Sequence, residues 1–314
     1  MTMTRTQFPK QLEEGLNTVF GMSYTSWPQE WPMYLDLDTT NKAFVEDQQI
    51  VGLGPGQTKT EGANFAVDAG GEGWTARYNI ETVALSFLLT EEAEEDGLYG
   101  SLGSKYVRSM AEGMIDAKEI KSASILNNAF DTNYPGGDGK PLCSTTHPLW
   151  NGGVLINALP TPTDLSETAI EDMLILAGRI KNDRGVPKRV RATKLICDIS
   201  EEFNAHRVLD STLRSSMVAT SANTYADTSI SNDDNVIKSM GLISGGVVGL
   251  HYLTDSDAFF LKTDVQDGLK MMTRLKIRRG MAIDPKTGNM QYRSRERYIP
   301  GFTDPRGCIG NSGG

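Results

Sequence analysis

The stretch from Gly52 to Gly73 constrains this chain more than any other. Gly52, Gly54 and Gly56 alternate with Leu53, Pro55 and Gln57, and Gly70, Gly71 and Gly73 follow. Glycine loses the most backbone freedom on folding and brings no side chain to a core. Surrounded by small and polar residues, this segment cannot form a packed layer. The pattern predicts a β-hairpin over 41–80 that projects from a body built elsewhere. Residues 75–89 alternate weakly and end in Val83, Leu85, Phe87, Leu88 and Leu89, which predicts a strand.

That body has material enough. The chain has 314 residues, 39% of them hydrophobic and 23% charged, which suits one large globular domain or two modest ones. Phe8, Leu12, Leu16, Val19 and Phe20 fit one face of a short helix, and Trp27-Pro28 and Trp31-Pro32 favour extended backbone after it. Residues 1–35 thus read as an arm with little core of its own, set to pack on a neighbour. Over 90–130 the spacing predicts the longest helix. Thr90 is its candidate N-cap, Glu91, Glu92, Glu94, Glu95 and Asp96 crowd its first turns, and Leu98, Leu102, Tyr106, Met110 and Met114 form its stripe. Asn133-Tyr134-Pro135-Gly136 ends it.

Asp164 with Glu167 predicts a capping box for a helix whose inner face is Ile170, Met173, Leu174, Ala177 and Ile180, with Gly185 just past its end. A strand over about 189–199 follows, then a helix capped by Ser200 with Phe203, Leu209 and Leu213 inward. Residues 215–235 read as a polar loop. The last third reads as strands at 241–253, 258–263, 271–283 and 290–299, the final pair joined by a hairpin turn at 284–289. Segregated helices and strands make the fold class α+β.

Charge is unevenly placed. Net charge is −9, yet residues 270–306 hold ten basic groups against three acids, a local +7 that leaves −16 on the remainder. An acidic whole argues against a dedicated nucleic-acid reader. Opposite charges separated within one chain suit subunits that meet around a ring. Cys143, Cys197 and Cys308 lie far apart without a C-x-x-C pair, which argues against a disulfide framework and structural zinc. Cys197 reads as a strand core residue and the other two as incidental. No apolar run approaches the ~20 residues that span a bilayer. Residues 1–10 lack a basic-then-apolar signal pattern, and the expectation is assembly in the cytoplasm.

Catalytic constellations are weak. His147, His206 and His251 are the histidines, and no G-x-S-x-G elbow accompanies them. Gly54-Pro55-Gly56-Gln57-Thr58-Lys59-Thr60 lacks the glycine that a phosphate loop needs before its Lys-Thr pair. Asp131-Thr132-Asn133 opens like a calcium loop, but Pro135 takes a ligand position and Leu142 stands where the bidentate glutamate belongs. No enzyme, cofactor or metal site is expected.

Several blocks, in order, resemble major capsid proteins of tailed bacteriophages, the Hong Kong 97-like fold. Leu98-Tyr99-Gly100-Ser101-Leu102 through Ile125-Leu126-Asn127-Asn128-Ala129-Phe130 resembles the family's spine helix. Asp138-Gly139-Lys140-Pro141-Leu142-Cys143-Ser144-Thr145-Thr146-His147-Pro148 is similar to the loop after it, and Asp164-Leu165-Ser166-Glu167-Thr168 to the opening of the next helix. His251–Asp264, then Thr287-Gly288-Asn289 with Tyr292, Arg295-Glu296-Arg297-Tyr298 and Asp304-Pro305-Arg306-Gly307 complete the set.

The resemblance implies an N-terminal arm over 1–40, an E-loop hairpin over 41–80, a peripheral domain over 81–131 with its sheet and C-terminus over 262–314, and an axial domain over 132–261. It implies a homo-oligomer of hexameric and pentameric capsomers forming an icosahedral shell around double-stranded DNA. The expected partners are portal, scaffold and decoration proteins, with loose, non-specific DNA contact and no membrane. The sequence opens on the arm, so scaffolding is expected as a separate protein unless the chain is a processed form. Candidate inter-subunit residues are Trp27 and Trp31 in the arm, Gly54, Gly56 and Lys59 in the hairpin, Glu94 and Glu95, and Arg278, Arg279, Arg293, Arg295 and Arg297. Nothing in the sequence assigns a covalent crosslink to Lys59. The rival within the fold is an encapsulin-like nanocompartment shell.

Overall fold

A computed structural model describes residues 9–90, 99–212, 234–284 and 287–314. The elements run α1 (Pro9–Ser26), α2 (Trp31–Tyr34), β1 (Asp36–Thr39), β2 (Phe44–Val51), β3 (Gly71–Asn79), β4 (Glu81–Leu89) and α3 (Tyr99–Asn127). After them come β5 (His147–Pro148), β6 (Val154–Leu155), α4 (Glu167–Gly178), β7 (Ala192–Asp198), α5 (Glu202–Asp210), α6 (Val236–Met240), β8 (Val247–Leu250) and β9 (Phe259–Thr263). The chain closes with β10 (Leu269–Ile283), β11 (Met290–Phe302), a 3₁₀ turn (Pro305–Gly307) and β12 (Cys308–Asn311). Two compact units result, one from residues 1–46, 77–124 and 270–301, the other from 47–76, 125–269 and 302–314.

The first unit holds a four-stranded sheet in the order β1-β10-β11-β4. Its core joins Leu16 and Phe20 of α1, Val107, Met110 and Ala111 of α3, and Tyr292 of β11. Burying an apolar side chain of this size stabilises by about 1.5–3 kcal/mol, so α1 is seated on its own chain. The arm expected to await a neighbour therefore has a core here. Trp31-Pro32 is helical where extended backbone was expected, because proline is tolerated in a first turn whose N–H has no intrahelical acceptor.

The stripe of α3 also shifts. Val107, Met110, Ala111, Met114, Ile115 and Leu126 are buried, whereas Tyr106 is half exposed. A strict four-residue repeat drifts off a helix of 3.6 residues per turn, and the buried face follows the i, i+3, i+4 pattern instead. The acidic first turns and Leu98 fall within 91–98, outside the described residues, as do the N–H groups that Thr90 was expected to cap and nearly all of the 215–235 loop.

The second unit is built on the sheet β12-β9-β7-β8. Ile170, Met173 and Ala177 of α4 pack with Leu195, Cys197, Phe259, Leu261 and Ile309 in its core. Three local expectations change. The cap of α4 is Ser166, whose hydroxyl accepts from Ala169 N, not Asp164. Ser200 does not cap α5; its N–H and hydroxyl both donate to Asp198 Oδ2. Phe203 is exposed where an inward position was expected. Residues 236–240 form a helical turn closed by left-handed Gly241, which shortens the strand expected from 241 to Val247–Leu250.

Candidate functional site

Two surfaces carry the residues singled out from sequence, one on each unit. The first is the outer face of the β10-β11-β4 region. Strand β11 alternates strictly: Tyr292, Ser294, Glu296 and Tyr298 are buried, while Arg293 and Arg295 are exposed and Arg297 is half-buried. Register sets each arginine opposite a small residue of β4, Arg293 against Ser86, Arg295 against Ala84 and Arg297 against Thr82. A groove of about 390 Å³ remains, lined by Arg278, Arg279, Arg293 and Arg295 with Ala84 and Gly280 among its other walls.

Among the described residues no ion pair joins Arg278, Arg293, Arg295 or Arg297 to an acid. Arg297 Nε is buried without a hydrogen-bond partner. Like charges two residues apart on one strand face repel, and an anion on that face relieves them. Arg279 differs. Its Nη1 donates to Asn17 O at 2.5 Å and its guanidinium lies 5.3 Å from the Phe20 ring centre, so it also fastens α1.

The inward face of the same strand is polar, and its carboxylate is satisfied although the buried Tyr298 hydroxyl has no hydrogen-bond partner. Glu296 accepts from Lys118 Nζ at 3.2 Å and from Tyr24 Oη at 2.7 Å. Lys118 also lies over the rings of Trp31 and Tyr298. Glu119 accepts from the backbone N–H of Glu30 at 2.9 Å and of Trp31 at 3.0 Å, which seats α2 on α3. Burial pushes the Glu119 carboxyl up to about 7. Trp31 is thus held within its own chain, whereas Trp27 is exposed.

The second surface is the glycine-rich hairpin. Strands β2 and β3 pair, and the segment between them is irregular; Ile50 of β2 and Leu53, Phe65 and Val67 of that segment are exposed. Val67 is 96% exposed. Gly54 N donates to Asp68 Oδ2 at 2.6 Å, and this bond, helped by Arg184, holds the Asp68 carboxyl below its ordinary value. Arg184 Nε donates to Gly52 O and its Nη2 to Ala69 O, clamping both limbs. Beside it, Gln49 Nε2 donates to Asp183, which also receives Arg306 Nη2 at 2.8 Å. A turn at 182–185, with Gly185 at φ +80°, presents Asp183 and Arg184 side by side.

Sequence reading missed Asp183 and Arg184, since no motif links them to residues more than a hundred positions earlier. Gly56 has open space around it, and Lys59 Nζ lies 4.1 Å over the Phe65 ring. The Gly54 N–H is engaged and no helix follows, so this loop lacks the cradle that phosphate needs. Glu94 and Glu95 lie outside the described residues.

Among the described residues no group of three or more His, Cys, Asp or Glu is placed to hold a metal ion, and no helix is long and apolar enough to cross a membrane. His147 pairs with Asp138 through Nδ1 at 2.5 Å and its Nε2 faces Asn157 Oδ1 at 3.0 Å in a buried site, so both ring nitrogens are occupied by structural partners.

The α+β chain, with its paired hairpin, long helix and two four-stranded sheets, has the mixed architecture that the Hong Kong 97-like resemblance implies. The chain matches the family described as phage capsid protein over residues 74–311, and it belongs to that family. It is a capsid shell protein, and its place is the virion capsid. No curated protein matches it.

Among solved structures, the capsid of the cyanophage P-SCSP1u is similar at a TM-score of 0.56 and 10% identity, covering 92% of this chain and 90% of that one. The capsid of an empty GTA particle is similar at 0.54 and 10% identity, covering 93% and 97%. A virus-like particle from Pyrococcus furiosus is similar at 0.53 and 10% identity, covering 96% and 99%. At these identities the likeness is one of fold, and the family match favours a phage capsid over a nanocompartment.

Proposed function

We propose that copies of this chain form hexameric and pentameric capsomers that close into an icosahedral shell around double-stranded DNA, with a mechanical and not a catalytic role. Residues 1–40 act as the arm, 41–80 as the E-loop, 81–131 with 262–314 as the peripheral domain, and 132–261 as the axial domain. The hairpin lies over an adjacent subunit, where Leu53, Phe65 and Val67 leave water. The observation that carries the reading is the arginine face, which holds four side chains without an acidic partner among the described residues. Carboxylates of a neighbouring copy complete it, with the acid-rich 91–96 segment as the first candidate. Glu94 and Glu95 belong to that segment. Portal, scaffold and decoration proteins are the further partners, and DNA is held loosely.

The test is electron microscopy of the purified protein, expressed alone and with its neighbouring genes, beside an Arg293→Ala/Arg295→Ala variant. Closed shells from the parent are expected. From the variant, folded but unassembled protein is expected, since surface changes of this kind alter stability within about 0.5 kcal/mol. Parent protein that stays monomeric under every condition refutes the shell, and unchanged assembly of the variant refutes the role of the arginines.

A further inference from the structure

Cys143 and Cys308 read as unrelated residues in the sequence, yet the fold brings them together. Asn157 Nδ2 donates to Leu142 O at 2.7 Å and to Cys308 O at 3.0 Å, so the backbones bearing the two cysteines converge on one atom. Two residues beyond Cys308, Gly310 lies so close that an added Cβ would stand 2.6 Å from Cys143 Sγ. Residues two apart in a strand share one face, so Cys308 of β12 lies on the face of Gly310 that Cys143 Sγ abuts. Both are free and buried. Cys197 is also buried but lies in β7, where its charged neighbours are Glu202, Glu201 and Asp198.

We propose that Cys143 and Cys308 form an oxidation site that closes to an intrachain disulfide once the protein leaves reducing surroundings. In a reducing compartment the pair stays a dithiol. Burial, with the facing sulfur, pushes the Cys143 thiol well above its ordinary value, so the thiolate is scarce and reaction waits on local opening. The oxidant is a low-molecular-weight disulfide. One cysteine thiolate attacks it, forming a mixed disulfide and releasing one small thiol. The second cysteine thiolate then attacks the protein sulfur of that mixed disulfide, forming the Cys143–Cys308 bond and releasing the second small thiol. Two protein thiols lose two electrons and two protons, and the oxidant takes up both. The bond staples the loop after α3 to β12 and closes a long stretch of chain, which limits the unfolded state most.

The experiment exposes purified protein, as particles where these form, to oxidised glutathione in sub-denaturing urea, then removes the reagent and counts alkylatable thiols after full denaturation. Parent, Cys143→Ser, Cys308→Ser and Cys197→Ser proteins are compared, with peptide mapping by mass spectrometry. The expected result is loss of both thiols in parent and Cys197→Ser, a linked 143–308 peptide, and a melting temperature raised by roughly 5–10 °C that dithiothreitol reverses. Three free thiols in the oxidised parent, a bond involving Cys197, or a glutathione adduct that never closes would each overturn the proposal. Should a serine variant fail to fold, the parent and Cys197→Ser peptide maps decide alone. The outcome does not depend on whether shells form, so it is separable from the microscopy.

Discussion

Replacing Asn157 with alanine tests how the second unit is held at its C-terminal edge. The Asn157 side chain is fully buried. The two N–H groups of its Nδ2 are shared among Leu142 O at 2.7 Å, Pro305 O at 2.8 Å and Cys308 O at 3.0 Å. Its Oδ1 accepts from Ser144 N at 2.8 Å and lies 3.0 Å from His147 Nε2. Three carbonyls on one side and an N–H on the other leave only one orientation of the amide. A buried polar group deprived of its partner costs about 1–3 kcal/mol, and water entering the gap recovers part of that. Five groups lose a partner in Asn157→Ala, so a loss of roughly 3–5 kcal/mol is expected.

Asn157→Asp sharpens the test. An ionised carboxylate keeps the bonds of Oδ1 but turns an oxygen toward three carbonyl oxygens. It should be less stable than Asn157→Ala at pH 7, and should gain on it as the pH falls and the new acid protonates. Urea unfolding followed by tryptophan fluorescence and far-ultraviolet circular dichroism measures both. A cost below about 1 kcal/mol for Asn157→Ala, or Asn157→Asp more stable than Asn157→Ala at pH 7, would refute the assigned network.

Other outcomes follow from the same reasoning. Arg306 is 2% exposed and holds Asp183, Asp304 and Lys181 O, so Arg306→Ala leaves the buried Asp183 carboxylate without its cation and should cost about 3–5 kcal/mol by urea unfolding. Glu119, raised by burial from 4.5 to about 7, binds its proton more tightly folded than unfolded. Its contribution is therefore complete below pH 4.5 and lost as the pH rises through about 7. Glu119→Gln should flatten that part of the stability profile measured from pH 4 to 8. A Cβ on Gly307 would stand 2.3 Å from Gly268 Cα, backbone against backbone. Gly307→Ala should therefore cost about 1–3 kcal/mol in thermal unfolding, the range for overpacking.

Much of the architecture was legible because it rests on local chemistry. Glycine density marked the hairpin, apolar period marked α3 and α4, and the hairpin turn signal at 284–289 marked the pair β10 and β11. Errors fell where tertiary contacts overrule local preference. Pro32 entered a helix once Glu119 had taken the N–H groups of Glu30 and Trp31. Ser200 left its expected cap for Asp198. The arginines were found from charge alone, but that they lie on one sheet face opposite Thr82, Ala84 and Ser86 is a matter of register, which charge does not report. Asp183 and Arg184 were invisible because their partners in the hairpin are remote in sequence.

By itself, then, the sequence determined the α+β class, the glycine-rich hairpin, the basic final third and the resemblance that places the chain among phage capsid proteins, since each depends on composition or on spacing within one segment. Only the tertiary structure decided which side chains meet: the clamp of Arg184 on the hairpin, the seat of Trp31 on α3, the buried amide of Asn157 and the pairing of Cys143 with Cys308. These join segments distant along the chain, and the free energy that selects them comes from burial and hydrogen bonding in three dimensions, which no local pattern encodes.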